Sequence, residues 1–151
     1  MRVSAKVDYA VRALAVLADA SSTRTKGDVI AAKQGIPVHF LENILRDLKR
    51  AGVVEAHRGA AGGYRLAVAP DTITIADVIR IVEGPLADVH GSAPEEITYP
   101  PPASPLRDVW VAVRANLRAV LEQVTVADVA TGELPPVVVD LIDPADAWAR
   151  R

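Results

Sequence analysis

Residues 37–68 constrain the fold of this chain more than any other segment. A helix is predicted over residues 37–50, because apolar side chains recur there at helical spacing. Two short strands are predicted directly after it, over residues 53–58 and 64–68, joined by the loop Gly59-Ala60-Ala61-Gly62-Gly63. A helix that leads straight into a small hairpin is compatible with few domain architectures.

The predicted helix over residues 37–50 has two distinct faces. Its apolar stripe consists of Leu41, Ile44, Leu45 and Leu48. The opposite, polar stripe consists of His39, Glu42, Asn43 and Arg46. A shorter helix is predicted before it, over residues 26–34, with Thr25 and Asp28 as a capping box and Gly35 as the C-terminal cap. Two such helices and a hairpin predict a winged helix-turn-helix.

Two further helices complete a predicted domain over residues 1–84. The first spans residues 4–20, with Ser4 as its N-cap. The other starts at Thr74, where Asp77 completes a capping pattern. Its predicted buried face consists of Ile75, Val78, Ile79 and Val82. The expected fold class is therefore mainly α, with one small β-hairpin as a wing.

A long helix is predicted over residues 105–124, with Ser104 as cap and Pro105 as its first residue. Apolar side chains step along it by four and three residues, which is typical of a dimer seam. The predicted dimerisation residues are Leu106, Trp110, Val113, Leu117, Val120 and Val124. A helix of this length exceeds what the small domain can cover. We expect one edge to pack inside the chain and the other against a second copy.

The remaining segments carry weaker signals. Residues 85–104 contain many prolines, which predicts an irregular loop. Loops of this length are often functional or disordered. The long helix and one short turn after it make up a predicted unit over residues 105–134. The C-terminal tail is predicted over residues 135–151, in which residues 137–139 form a short strand or a docked extended segment.

Composition excludes several classes of protein. The chain has no cysteine, so disulfides, cysteine nucleophiles and thiolate metal sites are excluded. Three scattered histidines without a nucleophile arrangement predict neither an enzyme nor a catalytic residue. The chain contains no run of about 18 uncharged apolar residues, so no membrane helix is predicted. Four charged residues precede residue 15, which is atypical of a signal peptide, so a cytoplasmic protein is expected.

Charge is divided unevenly along the chain. Residues 1–67 contain eleven Lys and Arg against six Asp and Glu, whereas residues 68–151 contain six against thirteen. A basic half joined to an acidic half suggests that one end meets a polyanion. A solvated charged surface explains the same numbers, so the asymmetry becomes informative only where it coincides with a motif.

The basic half contains candidate contacts to double-stranded DNA. On the polar stripe, His39 and Asn43 could contact bases, and Arg46 could contact phosphate or guanine. Glu42 could accept a hydrogen bond from cytosine or orient a neighbouring arginine. In the hairpin, Arg58 is the candidate for the minor groove. Three glycines would let the backbone approach DNA, namely Gly59, Gly62 and Gly63. Candidate phosphate contacts near helix N-termini are Ser4, Lys6 and Lys26. The alternative for each residue is an ordinary solvated surface.

The segment 36–66, with its Arg-Gly-Ala-Ala-Gly-Gly-Tyr run over 58–64, resembles the signature of Rrf2-type transcriptional regulators. Residues 1–14 and 73–84 resemble the same family. The resemblance implies a homodimeric winged-helix repressor or activator. We predict a repressor that binds a pseudo-palindromic operator.

The best-known branch of that family holds an iron–sulfur cluster on three cysteines of the loop after the fourth helix. Here that loop, residues 85–105, has no cysteine, so no cofactor and no metal ligand is predicted. Asp8 stands where some members supply a carboxylate ligand, and we interpret it as a structural or dimer-contact acid. The alternative function is a partner- or ligand-dependent regulator whose 85–105 loop binds a small molecule, a metal or a protein. His90 beside Asp88 is the motivation for the metal option.

Overall fold

The fold is mainly helical with one two-stranded hairpin, which confirms the predicted fold class. A computed structural model describes residues 3–20 and 23–149. The helices are α1 (Ala5–Asp19), α2 (Gly27–Gln34), α3 (Val38–Arg50), α4 (Ile75–Val82), α5 (Leu106–Leu121), α6 (Val126–Thr131) and α7 (Pro136–Ile142). Strands β1 (Val54–His57) and β2 (Gly63–Leu66) pair antiparallel between α3 and α4. Short 3-10 turns occupy Pro70–Thr72, Pro94–Glu96 and Ala145–Trp148.

Helix α1 is the centre of the core. Its first turn is capped as predicted, because the Ser4 hydroxyl accepts a hydrogen bond from the Val7 backbone N–H at 3.2 Å. Ala10 and Ala13 are completely buried, and α1 packs against α2, α3, α4 and α6. Side chains as small as alanine let four neighbouring helices approach the same backbone closely.

Helix α3 buries its predicted apolar stripe. Leu41, Ile44, Leu45 and Leu48 are all at most 1% exposed. Burying one such side chain stabilises a fold by about 1.5–3 kcal/mol. The orientation of α3 is therefore fixed, and its polar stripe is held towards solvent.

The start of α2 differs from the prediction. Lys26 is the N-cap residue and makes no side-chain capping bond, so the Thr25–Asp28 capping box is wrong. Thr25 instead exchanges two backbone hydrogen bonds of 2.8 Å with Tyr64 of β2. The extended backbone of Thr25 thus serves as a partner for the hairpin. The predicted end of α2 is confirmed, since Gly35 has φ +62°.

Helices α4 and α6 start side by side and are capped in the same way. Thr74 with Asp77 forms the predicted capping box, and Thr125 with Asp128 forms a second one. The Ile75 N–H donates to the Val124 carbonyl at 2.8 Å, so the two helix starts are joined through the backbone. Val126 is fully buried in the main core. The short turn predicted after the long helix is thus part of the N-terminal core.

Helix α5 is shorter than predicted. It runs from Leu106 to Leu121 and has no side-chain cap, so Ser104 does not cap it. Val124 lies beyond its end and is only 7% exposed. The predicted place of Val124 in the dimer seam gains no support from this position, because its own chain already covers most of the side chain. Val109 and Val113 remain 50% and 41% exposed on α5.

The tail contains helical structure. Residues 137–139 belong to α7, so the predicted strand or extended segment is wrong. The reason is local: Pro136 occupies the first turn of a helix, where proline fits. Trp148 lies against this helix and donates its indole N–H to the Ile142 carbonyl at 2.7 Å. Within residues 3–20 and 23–149, no helix is long and apolar enough to cross a membrane.

Lys6 connects three helices. Its ammonium group donates to the Val82 carbonyl at the end of α4 at 2.7 Å and pairs with the Asp47 carboxylate of α3 at 2.9 Å. The hydrogen bond from Lys6 holds the pKa of Asp47 below its ordinary value of 3.8. A carboxyl group whose pKa is lowered on folding stabilises the fold above its ordinary pKa, and this contribution is lost as the pH falls through the lowered value.

We expect Asp47→Asn to lower the free energy of unfolding at neutral pH by up to about 1 kcal/mol, because the ion pair is partly exposed. The difference from the wild type should shrink as the pH falls below 3.8 and through the lowered pKa of Asp47, where the folded protein takes up the proton. Urea unfolding at neutral and acidic pH measures both effects. Asp140→Asn on exposed α7 is the control and should change little. A difference that persists undiminished in acid would contradict this role of Asp47.

Candidate nucleic-acid interface

The polar stripe of α3 is exposed, as predicted. His39, Glu42, Asn43 and Arg46 all face solvent along one side of the helix. The Asn43 amide donates to the His39 carbonyl at 3.1 Å, which leaves its oxygen free to accept. The His39 ring lies 4.7 Å from the ring of Phe40, which itself contacts Tyr9 of α1. The first turn of α3 therefore presents a pair of aromatic rings as well as polar groups.

The hairpin is held to the start of α2 by the backbone of Thr25. Gly63 has φ +140°, and an added Cβ there would lie 2.8 Å from the Thr25 carbonyl oxygen. Only glycine therefore allows β2 to approach this closely. Because Lys26 follows Thr25 directly, the same contact places the N-terminal end of α2 beside the hairpin.

The loop at the tip of the hairpin is tightly folded. The Gly62 N–H donates to the Gly59 carbonyl at 2.9 Å. Gly59 is exposed, whereas Gly62 is buried. A Cβ at Gly62 would lie 2.4 Å from the His57 carbonyl oxygen. Gly62 and Gly63 therefore shape the loop, and of the three predicted contact glycines Gly59 is the most exposed.

A groove of about 550 Å³ lies between α3, the N-terminal end of α2 and the hairpin. Four cationic side chains line it: Lys26, Arg46, Lys49 and Arg58. None of the four makes an ion pair with a residue in the described part of the chain. Glu42 is the carboxylate among the lining residues. The groove thus offers a net positive, unneutralised surface at the edge of an exposed helix.

Lys49 was absent from the predicted contacts. It follows Arg46 by three residues and Glu42 by seven, so its position on the same helical face is readable from the sequence. The other hairpin arginine, Arg65, is neutralised by a cross-strand ion pair with Glu55. Arg58 is therefore the unpaired guanidinium of the hairpin.

Two residues that are predicted to contact phosphate form hydrogen bonds or ion pairs within the fold instead. The Ser4 hydroxyl caps α1, and the Lys6 ammonium binds Asp47 and the Val82 carbonyl. Neither residue lines the basic groove. These bonds argue against both predictions, because the groups that would bind phosphate are already committed. Asp8 pairs with Arg12 at 2.9 Å on the surface of α1, as a structural acid would.

Comparison with known proteins identifies a family. The family model described as "Rrf2: Iron-dependent Transcriptional regulator" matches residues 3–132. An HTH-type transcriptional regulator of Mycobacterium tuberculosis H37Rv is 50% identical over 144 residues, covering 95% of this chain and 89% of that protein. CymR of Bacillus subtilis, named as an HTH-type transcriptional regulator, is 35% identical over 132 residues, covering 87% of this chain and 91% of CymR.

Solved structures share the fold. The structure of CymR, described as the global cysteine regulator of B. subtilis, matches with a TM-score of 0.74 at 31% identity, covering 87% of this chain and 98% of that one. The structure of IscR from T. potens matches with a TM-score of 0.71 at 29% identity, covering 100% of this chain and 93% of that one. The family and these relatives are transcriptional regulators rather than enzymes.

The side chains of this protein do not fit an iron–sulfur cluster. Such clusters are held by cysteine thiolates, and the sequence has none. In the loop after α4, the Asp88 carboxylate accepts a hydrogen bond from the Gly91 N–H at 2.8 Å. Among the described residues, no group of three His, Asp or Glu side chains could hold a metal ion. The metal option for His90 and Asp88 therefore gains no support from their arrangement.

We expect Gly62→Ala to lower the free energy of unfolding by about 1–3 kcal/mol, because the added methyl group would press against the His57 carbonyl. Urea unfolding measures this loss. Ala60→Ser, in the same loop but at an exposed position, is the control and should leave stability within about 0.5 kcal/mol of the wild type. Equal stabilities for the two variants would show that the loop relaxes freely around residue 62.

Proposed function

The chain belongs to the Rrf2 family of transcriptional regulators, and from this membership we propose that it represses transcription as a homodimer bound to a specific site on double-stranded DNA. The observation that carries the proposal is the groove between α3 and the hairpin, with four cations that form no ion pair with any described residue. Binding to the chromosome requires the protein to act in the cytoplasm.

In the proposed complex α3 enters the major groove, which is wide enough to admit a helix. Arg46 and Lys49 neutralise phosphates or contact guanine. Asn43 offers its free amide oxygen to bases, and Glu42 accepts from cytosine or orients a neighbouring cation. The His39 ring contacts the Phe40 ring, which limits the motion of the imidazole beside the DNA.

The hairpin contacts the DNA beside α3. Arg58 extends from a loop of small residues, and a narrow minor groove attracts such a guanidinium through its negative potential. Lys26 and the free N–H groups at the start of α2 bind the intervening phosphates. The bond between Thr25 and Tyr64 fixes the spacing of these two contacts.

The exposed edge of α5 is the proposed dimer contact. Helical geometry places Val109, Val113 and Val120 on one edge, where Val109 and Val113 are exposed. Val120 is half-buried, as are Leu106, Trp110 and Leu117 beside this edge. A second copy would cover the valines and bring two α3 helices to successive major grooves, about 34 Å apart. A dimer that covers both half-sites excludes other proteins from that DNA, which is the basis for proposing repression.

We expect Arg58→Ala to weaken specific DNA binding by about 1–3 kcal/mol. The slope of log affinity against log salt concentration should become smaller in magnitude by about one. The reason is that this guanidinium has no ion pair within the described part of the chain and is therefore free to bind DNA. Fluorescence anisotropy across a salt series, with DNA from upstream of the gene and a scrambled duplex, measures both effects.

Arg107→Ala is the matched control for the loss of one positive charge, because Arg107 lies on α5 and pairs with Asp108. It should leave the affinity for the specific duplex unchanged. If Arg58→Ala and Arg107→Ala bind like the wild type, the hairpin does not contact DNA. Equal, weak binding of the wild type to both duplexes would instead count against specific recognition.

We expect Val113→Glu to convert the dimer to a monomer, because it places a charge in the middle of the proposed apolar contact. Analytical ultracentrifugation measures the change. Ala115→Glu adds the same charge to an exposed position on another side of α5 and should leave the dimer intact. A dimer that tolerates Val113→Glu would place the contact elsewhere.

A further inference from the structure

A second cavity of about 400 Å³ lies between α4, α5 and the loop that follows α4. Three arginines line it: Arg80 from α4, and Arg114 and Arg118 from α5. The opposite wall is formed by the loop, which contributes Pro85, Leu86, Asp88 and Ala93 among its lining residues. The cavity thus combines three guanidinium groups with small and apolar loop residues.

Each guanidinium lies near a carboxylate, and two of the three form close ion pairs. Arg114 is 15% exposed and pairs with Glu95 at 2.6 Å. Arg80 pairs with Asp77 at 3.2 Å and with Glu122. Arg118 lies 3.9 Å from the same Glu122. The ion pairs of Arg114 and Arg80 hold these long side chains in place, which reduces the entropy that they would lose on binding a ligand, whereas Arg118 is held only loosely.

The arginines retain unused hydrogen-bond donors. A guanidinium carries five N–H groups, and each of these ion pairs engages only one or two of them. Asp88 is the carboxylate that lines the cavity, and one of its two oxygens accepts a hydrogen bond from the Gly91 N–H. Several guanidinium N–H groups therefore remain available around this space, and planar guanidinium groups match carboxylate and phosphate oxygens in pairs.

We propose that this cavity binds a small organic anion that carries a carboxylate or phosphate group. Its volume falls within the range of small-molecule sites, about 300–1,000 Å³. The arginines bind the anionic group, and the walls of Pro85, Leu86 and Ala93 contact the carbon skeleton. Nothing in the site requires a metal ion.

The position of the cavity suggests how the anion would act on DNA binding, a point that rests on the proposed function. Val82 lies between Arg80 and Gly84, both of which line the cavity. The Val82 carbonyl accepts the hydrogen bond from Lys6, which is also paired with Asp47 of α3. A shift at the end of α4 is therefore transmitted to α3 through one side chain.

Thermal unfolding tests the binding itself, with succinate, glycerol 3-phosphate and inorganic phosphate as probes at about 10 mM and constant ionic strength. A site with a dissociation constant of about 1 mM would raise the melting temperature by about 4 °C. Succinate and glycerol 3-phosphate distinguish a preference for carboxylate from one for phosphate, and inorganic phosphate shows whether the carbon skeleton contributes.

Arg118→Gln should abolish the rise, and Arg114→Gln is the second variant at the same site. Arg118 is chosen first because half of its side chain is exposed and its ion pair is long, so its loss costs the fold little. Arg46→Gln, in the groove beside α3, should retain the rise, as should Arg107→Gln. No rise with any probe, or an equal rise in Arg118→Gln, would overturn the proposal.

DNA anisotropy with and without the stabilising probe tests the link to α3. The probe should change the affinity of the wild type and not that of Arg118→Gln. An equal change in both proteins would overturn the link, whereas binding in the cavity is judged by melting alone. Absence of specific DNA binding without any probe would count against the proposed function and leave the melting result intact.

Discussion

Burial of one face of α3 is the constraint on which the rest of the structure depends. Four leucine and isoleucine side chains of α3 are removed from water against α1, which fixes the rotation of α3 about its axis. The polar stripe then has to face outwards. The hairpin follows α3 directly, so its position is set by the same packing. The basic groove is therefore a consequence of how the apolar core is filled.

Features that depend on neighbours in sequence could be predicted. The two faces of α3 follow from helical spacing, and Gly35 and Thr74 are recognisable because caps involve residues within one turn. The exposure of Arg46 and Arg58 follows from the same local rules. Lys49 was predictable in principle, since it lies on the helical face that was already identified.

Features that depend on distant parts of the chain could not be predicted. The sequence around Thr25 resembles a helix cap, but the Thr25 backbone forms two hydrogen bonds with the backbone of Tyr64 in β2 instead. Lys6 resembles a surface phosphate contact, yet its partners lie 41 and 76 residues away. Val124 continues the spacing of the dimer seam, although the chain leaves the helix before reaching it. In each case a tertiary contact outweighs the local pattern.

The backbone bonds between the starts of α4 and α6 have a consequence for evolution and for protein engineering. Because Val126 completes the core around α1, the boundary of the folding unit lies after α6 rather than after α4. A chimaera that joins residues 1–84 to the second half of a relative would exchange the core side chain of Val126 together with the loop after α4 and helix α5. Successful recombination between such regulators should therefore preserve matched pairs of α1 and α6.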